Sequence, residues 1–219
     1  MNPTMLLVAH GTRDEAGLDE IARIAGGMRA RCPGVRVCTA YVDVLGPSLA
    51  DVLSEVSGPA VVVPLFLAAG HHVRHDVPAG VGGRSDVVVT PPLGPDPSLT
   101  GALRERVASV ARPGERIVLA AAGSAHPRAL DDVERAAGWL SRELENPVQP
   151  AYLSAASPRV ADVVGPDSVV VPYLLAPGFF QRRAAAAAAR ATADVLGAHP
   201  TVLDVIADRY RAALSARAA

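Results

Sequence analysis

The chain carries one sequence pattern twice, and this repeat limits its fold more than any other feature. Matched blocks occur in the same order in both copies: residues 7–12 with 119–124, 40–43 with 151–154, 62–70 with 170–178, and 93–94 with 196–197. The turn-rich segment Arg112-Pro113-Gly114 lies between the copies. We therefore predict that the 219 residues form two homologous domains, residues 1–111 and 115–219.

Short apolar runs rich in β-branched residues alternate with helix-like segments. The runs at residues 5–9, 35–41, 61–67 and 87–90 predict buried strands, and the segments at 14–31, 99–110, 128–145 and 184–189 predict helices. Ser98 is the expected N-cap of the helix at 99–110. This alternation is typical of parallel βαβ units. The predicted fold is therefore α/β: two similar three-layer domains, each a small parallel four-stranded sheet flanked by helices, with a cleft between them.

The two copies differ at the positions that carry reactive side chains. His10 corresponds to Ala122, Asp43 to Ser154, and His72 to Phe180. Because ligands bind beyond the carboxyl ends of parallel strands, we expect His10, Asp43 and the His71-His72 pair to meet at one edge of the first sheet. Imidazole is a good ligand for divalent iron, cobalt, nickel and zinc, and it also titrates near neutral pH. The first half is therefore predicted to carry the chemistry, and the second half to complete the cleft.

Two glycine-containing turns suggest a site for an anionic ligand. Gly11-Thr12 and Gly123-Ser124 follow the first strand of each half, where a helix N-terminus offers free N–H groups. Arginines beside the same strand ends can pair with carboxylates: Arg13, Arg74, Arg182 and Arg183. His75 and His126 are further candidates, and the sequence leaves their contribution open.

Composition excludes several classes of protein. The 21 basic residues are all arginine and stand against 22 acidic ones, so the net charge of −1 lacks the excess typical of nucleic-acid-coating proteins. The absence of lysine excludes Schiff-base and Walker-type phosphate chemistry. Cys32 and Cys38 form no metal or disulfide pattern. The apolar residues near the start are too few for a signal core or a membrane span. We expect a cytoplasmic protein that binds neither membrane nor nucleic acid.

Three segments resemble the class II tetrapyrrole chelatases, and among them the sirohydrochlorin chelatases of siroheme and cobalamin biosynthesis. These are residues 6–13 (LLVAHGTR), residues 40–43 (AYVD) followed by Pro47-Ser48, and residues 64–73 (PLFLAAGHHV) followed by Asp76-Val77-Pro78. The resemblance covers nearly the whole chain, since family members of this length also contain two homologous halves. The third segment is its most specific motif.

The resemblance implies an ATP-independent, lyase-type enzyme that inserts Fe²⁺ or Co²⁺ into sirohydrochlorin without an organic cofactor, with Ni²⁺ as a further candidate metal. His10 and His72 match the two metal-binding histidines of the family. Asp43 matches a carboxylate that is frequently glutamate, which leaves open whether it binds the metal or accepts a proton. His71, together with the two glycine turns, Arg13, Arg74 and Arg182, is expected to contact the substrate. A monomer suffices because one chain supplies both halves of the cleft, and a homodimer is also compatible with the sequence.

Two other functions remain compatible with the residues. A histidine phosphatase also places a His-Gly pair after its first strand, although its histidine normally follows an arginine and here follows Ala9. A non-catalytic carrier of a metal or a tetrapyrrole would use the same binding residues without turnover.

Overall fold

The structure is a computed structural model that describes residues 2–218. The first half contains β1 (Thr4–Ala9), α1 (Glu15–Arg31), β2 (Val37–Tyr41), α2 (Leu49–Glu55), β3 (Ala60–Pro64), a π-helical turn (His72–Asp76), α3 (Val77–Val81), β4 (Val87–Val89) and α4 (Leu99–Ala108). The second half contains β5 (Arg116–Ala121), α5 (Pro127–Leu144), β6 (Val148–Tyr152), α6 (Val160–Val163), β7 (Ser168–Tyr173), α7 (Phe179–Ala185), β8 (Ala191–Thr192) and α8 (Pro200–Ala218).

Each half forms one parallel four-stranded sheet, in the order β2-β1-β3-β4 and β6-β5-β7-β8. Every residue of β1, β3 and β7 is buried, which explains their near-continuous apolar sequences. Equivalent strands pair in equivalent ways: Met5 lies opposite Val37 and Val61, and Ile117 lies opposite Val148 and Val169. The predicted fold of two similar α/β sheets flanked by helices is confirmed.

The two halves exchange their last helices, which the sequence did not indicate. Helix α4 of the first half packs on α5 and β7 of the second, and α8 of the second half packs on α1 and β3 of the first. One hydrophobic cluster consequently runs through both halves, while two smaller clusters cover the outer faces of the sheets. The Tyr210 hydroxyl of α8 donates to the Pro3 carbonyl at 2.6 Å. The halves therefore share a core.

One local prediction was wrong. The alanine run 184–189 is helical only to Ala185, because the chain turns there so that the Arg190 N–H can donate to the Ser168 carbonyl at 2.9 Å and start β8. Ser98 is the N-cap of α4, as predicted, although its side chain makes no capping bond. Its own N–H donates instead to the Asp96 carboxylate at 2.9 Å.

No helix in residues 2–218 combines the length and apolar character needed to cross a membrane.

Candidate active site

A cavity of about 1170 Å³ lies where the carboxyl ends of the two sheets face each other. The last residues of five strands line it, from both halves: Ala9, Tyr41, Ala121, Tyr152 and Tyr173. Typical small-molecule pockets measure roughly 300–1,000 Å³, so this cavity suits a ligand at or above the upper end of that range. The predicted cleft between the halves is therefore present.

Two histidine rings from the first half face each other in this cavity. His10 follows β1 and is exposed, and His72 begins the π-helical turn after β3. Their ring centroids are 4.5 Å apart and the ring planes are nearly perpendicular. The Phe66 ring stacks against His72 at a centroid distance of 5.9 Å. Single π-helical turns occur frequently at functional sites, and here the turn presents one imidazole directly opposite another.

Asp76 holds the His72 ring through its Nδ1 atom. The distance from His72 Nδ1 to Asp76 Oδ2 is 2.5 Å. With Nδ1–H donating to the carboxylate, Nε2 keeps its lone pair for a metal, as in most protein sites where a histidine binds a metal. His10 Nδ1 lies 3.1 Å from the Gly11 carbonyl, which favours the same tautomer. Sequence reasoning gave Asp76 no role, although its i,i+4 spacing from His72 was a usable signal.

Asp43 lines the cavity, but its carboxylate accepts a hydrogen bond from the backbone of the next residue. Asp43 Oδ1 accepts the Val44 N–H at 2.7 Å, and Val44 adopts a left-handed φ of 69° that a β-branched residue rarely takes. Within residues 2–218, no three His, Cys, Asp or Glu side chains are clustered as metal ligands. The structure therefore brings the two imidazoles together and places Asp43 beside them in the cavity, without forming a three-ligand cluster.

The remaining histidines lie at or outside the cavity edge. His71 lines the cavity with a side chain that is 71% exposed, and its ring lies 6.0 Å from that of His72. His75 packs on His71 at 4.6 Å and does not line the cavity. His126 is also absent from the lining, and its buried Nδ1 has no hydrogen-bond partner among the described residues. Of these three, only His71 is placed to touch a bound ligand.

Most of the residues predicted to contact substrate line the cavity: Gly11, Thr12, Arg13, Gly123, Ser124 and Arg182. Arg74 is exposed outside it, because the turn that aims His72 inward directs Arg74 away. Arg183 also lies outside, over the Phe179 ring. Arg182 pairs with Asp14, the N-cap of α1, and so joins the two halves. The position of Arg74 therefore does not support the prediction that it contacts the substrate.

Gly11 and Gly123 lie where the backbone of a neighbouring loop passes very close, so that a larger residue would not fit. Gly11 and Gly123 both have φ of 98°, in the region that favours glycine. A Cβ at Gly11 would overlap the Asp43 carbonyl oxygen, and one at Gly123 would overlap that of Ser154. Because the arrangement is the same in both halves, close backbone packing is sufficient to explain both glycines. This packing also fixes the positions of Thr12 and Ser124, which follow them.

The second half gives the cavity an apolar side. Ala122 and Phe180 line the cavity at the positions that match His10 and His72. Burial raises the pKa of Tyr173, and the nearby Asp132 carboxylate adds to the rise. Desolvation also raises the pKa of Tyr152. Both phenols therefore stay protonated at neutral pH, so neither tyrosine is available to accept a proton in the cavity.

Comparison with known proteins identifies relatives along the whole chain. Residues 4–110 and 116–213 each match the CbiX family model. The sirohydrochlorin ferrochelatase of Bacillus subtilis is 25% identical over 96% of this chain and 92% of its own length. The sirohydrochlorin cobaltochelatase of Methanothermobacter thermautotrophicus is 30% identical over 48% of this chain and 90% of its own length. Among solved structures, SirB from Bacillus subtilis with Fe³⁺ superposes with a TM-score of 0.77 at 23% identity, over 96% of this chain and 95% of that one.

Proposed function

The chain belongs to the CbiX family, and from that premise we propose that it is a lyase-type chelatase that inserts Fe²⁺ or Co²⁺ into sirohydrochlorin. Both of the relatives described above are named for that substrate, one with iron and one with cobalt. The same match extends over both halves, which leaves the histidine phosphatase without support. The metal is a substrate here, because it leaves in the product.

The observation that carries the proposal is the pair of imidazoles exposed in a cavity built by both halves. The ring centroids of His10 and His72 are 4.5 Å apart, and we assign this imidazole pair to one divalent metal ion, since imidazole is a good ligand for iron and cobalt. Two protein ligands are few for a tightly held metal, and four are usual in structural zinc sites. A weakly held ion suits an enzyme that must release the metal to its second substrate.

Insertion replaces two protons with one metal ion. The free macrocycle has two inner N–H groups, and both protons leave as M²⁺ binds the four ring nitrogens. His10 and His72 hold the metal on one face of the ring and pass it to those nitrogens. Once the metal has left, the same imidazoles can accept protons, because neutral imidazole has a basic ring nitrogen that serves as a general base. Asp43 is a further acceptor at the edge of the cavity.

The cavity edge fits the acidic periphery of the substrate. Sirohydrochlorin carries carboxylates around its ring, and Arg13 and Arg182 line the cavity from opposite halves. Thr12 and Ser124 stand in the turns that follow β1 and β5, so they can donate hydrogen bonds to the same groups. A chain with a net charge of −1 can still present local positive charge to an anionic ligand. We propose that these four residues, with His71, position the macrocycle.

Both sides of the cavity come from one chain, so we infer that a monomer is sufficient for activity. A cytoplasmic location is proposed with it, since the reaction needs no membrane component. Metal preference would indicate the pathway, with iron favouring siroheme and cobalt favouring cobalamin biosynthesis.

The test is an insertion assay that follows the absorption spectrum of sirohydrochlorin with the purified protein and either Fe²⁺ under anaerobic conditions or Co²⁺. We expect the protein to accelerate insertion over the spontaneous reaction at many turnovers per chain. No acceleration with either metal would overturn the proposal. Binding of one equivalent of metal or tetrapyrrole without turnover would assign the protein as a carrier.

A further inference from the structure

A buried carboxylate of the second half holds the loop that leads to His72. Asp132 lies on α5 and is 5% exposed. Its Oδ2 accepts the Ala69 N–H at 2.8 Å, and its Oδ1 accepts a hydrogen bond from Arg135 at 2.5 Å. Ala69 stands three residues before His72, in the segment that joins β3 to the π-helical turn. One hydrogen bond therefore connects the second half, which lacks the imidazole pair, to the loop that leads to His72.

Other bonds hold the start of this loop, where the Leu65 N–H donates to the Val8 carbonyl at 2.7 Å and the Gly94 N–H donates to the Phe66 carbonyl at 3.0 Å. Residues 65–70 have no regular secondary structure, so their partly buried N–H groups need partners outside a helix or sheet. The Gly70 N–H donates to the Ala68 carbonyl at 3.0 Å, and the Arg74 N–H donates to the Gly70 carbonyl at 3.3 Å. This chain of bonds runs from Ala68 into the π-helical turn, and Asp132 ties its beginning to α5. A displacement at Ala69 would consequently move His72.

The repeat provides a natural comparison for this contact. Glu20 on α1 occupies the position that matches Asp132, is also 5% exposed, and pairs with Arg23 as Asp132 pairs with Arg135. Its Oε1, however, accepts the Ala198 N–H at 2.6 Å.

The reason for the difference lies in the loop. Pro177 stands where the first half has Ala69, and proline has no N–H to donate. The equivalent bond therefore cannot form in the second half. The contact between a buried carboxylate and this loop position exists only where the loop leads to a histidine.

We propose that Asp132 is a positioning residue for the metal-holding pair, acting on His72 through the Ala69 N–H. This inference rests on the proposed function in assigning His10 and His72 to the metal, and it is tested by metal binding rather than by insertion. It gives the second half a role in the metal step in addition to closing the cavity.

The experiment titrates the full chain with Co²⁺ in the absence of tetrapyrrole. We expect Asp132→Ala to weaken Co²⁺ binding by about 10-fold, the lower end of the loss seen when a supporting residue is removed from a metal site. Asp132→Asn keeps an oxygen that can accept the Ala69 N–H, so it should restore most of the affinity. Glu20→Ala is the matched control: it removes the equivalent buried carboxylate and should leave Co²⁺ affinity unchanged.

A second variant keeps the proposal testable if Asp132→Ala does not fold. Ala69→Pro removes the N–H donor while Asp132 stays in place, and it copies the residue that the second half already has at this position. It should lower Co²⁺ affinity about as much as Asp132→Ala. Equal losses in Asp132→Ala and Glu20→Ala, or unchanged affinity in Asp132→Ala and Ala69→Pro, would overturn the inference. A wild-type chain that binds Co²⁺ but does not insert it would contradict the proposed function alone.

Discussion

The two halves have the same framework but different side chains at the cavity. Both sheets have the same strand order, and Gly11 and Gly123 share the same backbone angle where a neighbouring loop crosses. The first half places imidazoles at the ends of its strands, whereas the second places Ala122 and Phe180 there. The features that both halves share, the strand order and the turn glycines, are thus explained by folding. The side chains that differ at the cavity indicate where the chemistry takes place.

The difference extends to the residues that support the imidazoles. Asp76, which holds His72, corresponds by the repeat to Ala184, which is fully buried against the second sheet. The first half forms a π-helical turn at this place and the second forms the regular helix α7. The proposed metal site therefore differs from the second half at several linked positions, and each residue can be replaced by the one that the second half carries.

The largest effect is expected when a histidine is replaced by its counterpart. His10→Ala copies Ala122, and His72→Phe copies Phe180. Loss of one of two ligands should reduce Co²⁺ affinity by about 100-fold or more and abolish insertion, because even supporting residues cost about 10- to 100-fold. For the exposed His10, thermal unfolding should show a change in stability within about 0.5 kcal/mol. A strongly lowered melting temperature with activity retained would contradict this.

A smaller effect is expected at the residue that orients His72. Asp76→Ala copies Ala184 and leaves both imidazoles in place but frees the His72 ring to rotate and change tautomer. Co²⁺ affinity measured by calorimetry should fall by about 10-fold. Glu105→Ala is the control. It removes the carboxylate of another histidine–carboxylate pair, in which Glu105 Oε2 lies 3.0 Å from His199 Nε2, and neither residue lines the cavity. Similar losses in both variants would argue against a specific role for Asp76.

The smallest effect should come from the apolar side of the cavity. Phe179 lines the cavity and is 59% exposed, so its ring is available to contact a bound macrocycle. Phe179→Ala should raise the Kd for sirohydrochlorin roughly threefold to tenfold through lost aromatic contact, with Co²⁺ affinity unchanged. Val89→Ala removes an exposed apolar side chain outside the cavity and should change neither. Equal tetrapyrrole affinity in all three proteins would exclude Phe179 from the binding surface.

Much of this could be predicted because the repeat separates framework from chemistry. Strand ends follow from short apolar runs, and the carboxyl ends of parallel strands meet at one edge, so His10 and His72 were found from local sequence. The exchange of α4 and α8 was not predictable, since it depends on contacts between residues far apart in the chain. The same holds for the bond between Asp132 and Ala69. The position of Arg74 outside the cavity lining was not predictable either, because the direction of a side chain in a π-helical turn cannot be read from the sequence.

The most direct test of the account is the number of metal ions that one chain binds. Titration of the wild-type protein with Co²⁺, followed by the cobalt absorption bands, should give one site per chain, because only the first half has the imidazole pair. The His10→Ala/His72→Phe double variant should lose that site while keeping its fold by circular dichroism. Two equivalent sites in the wild type, or one site that persists in the double variant, would contradict the account.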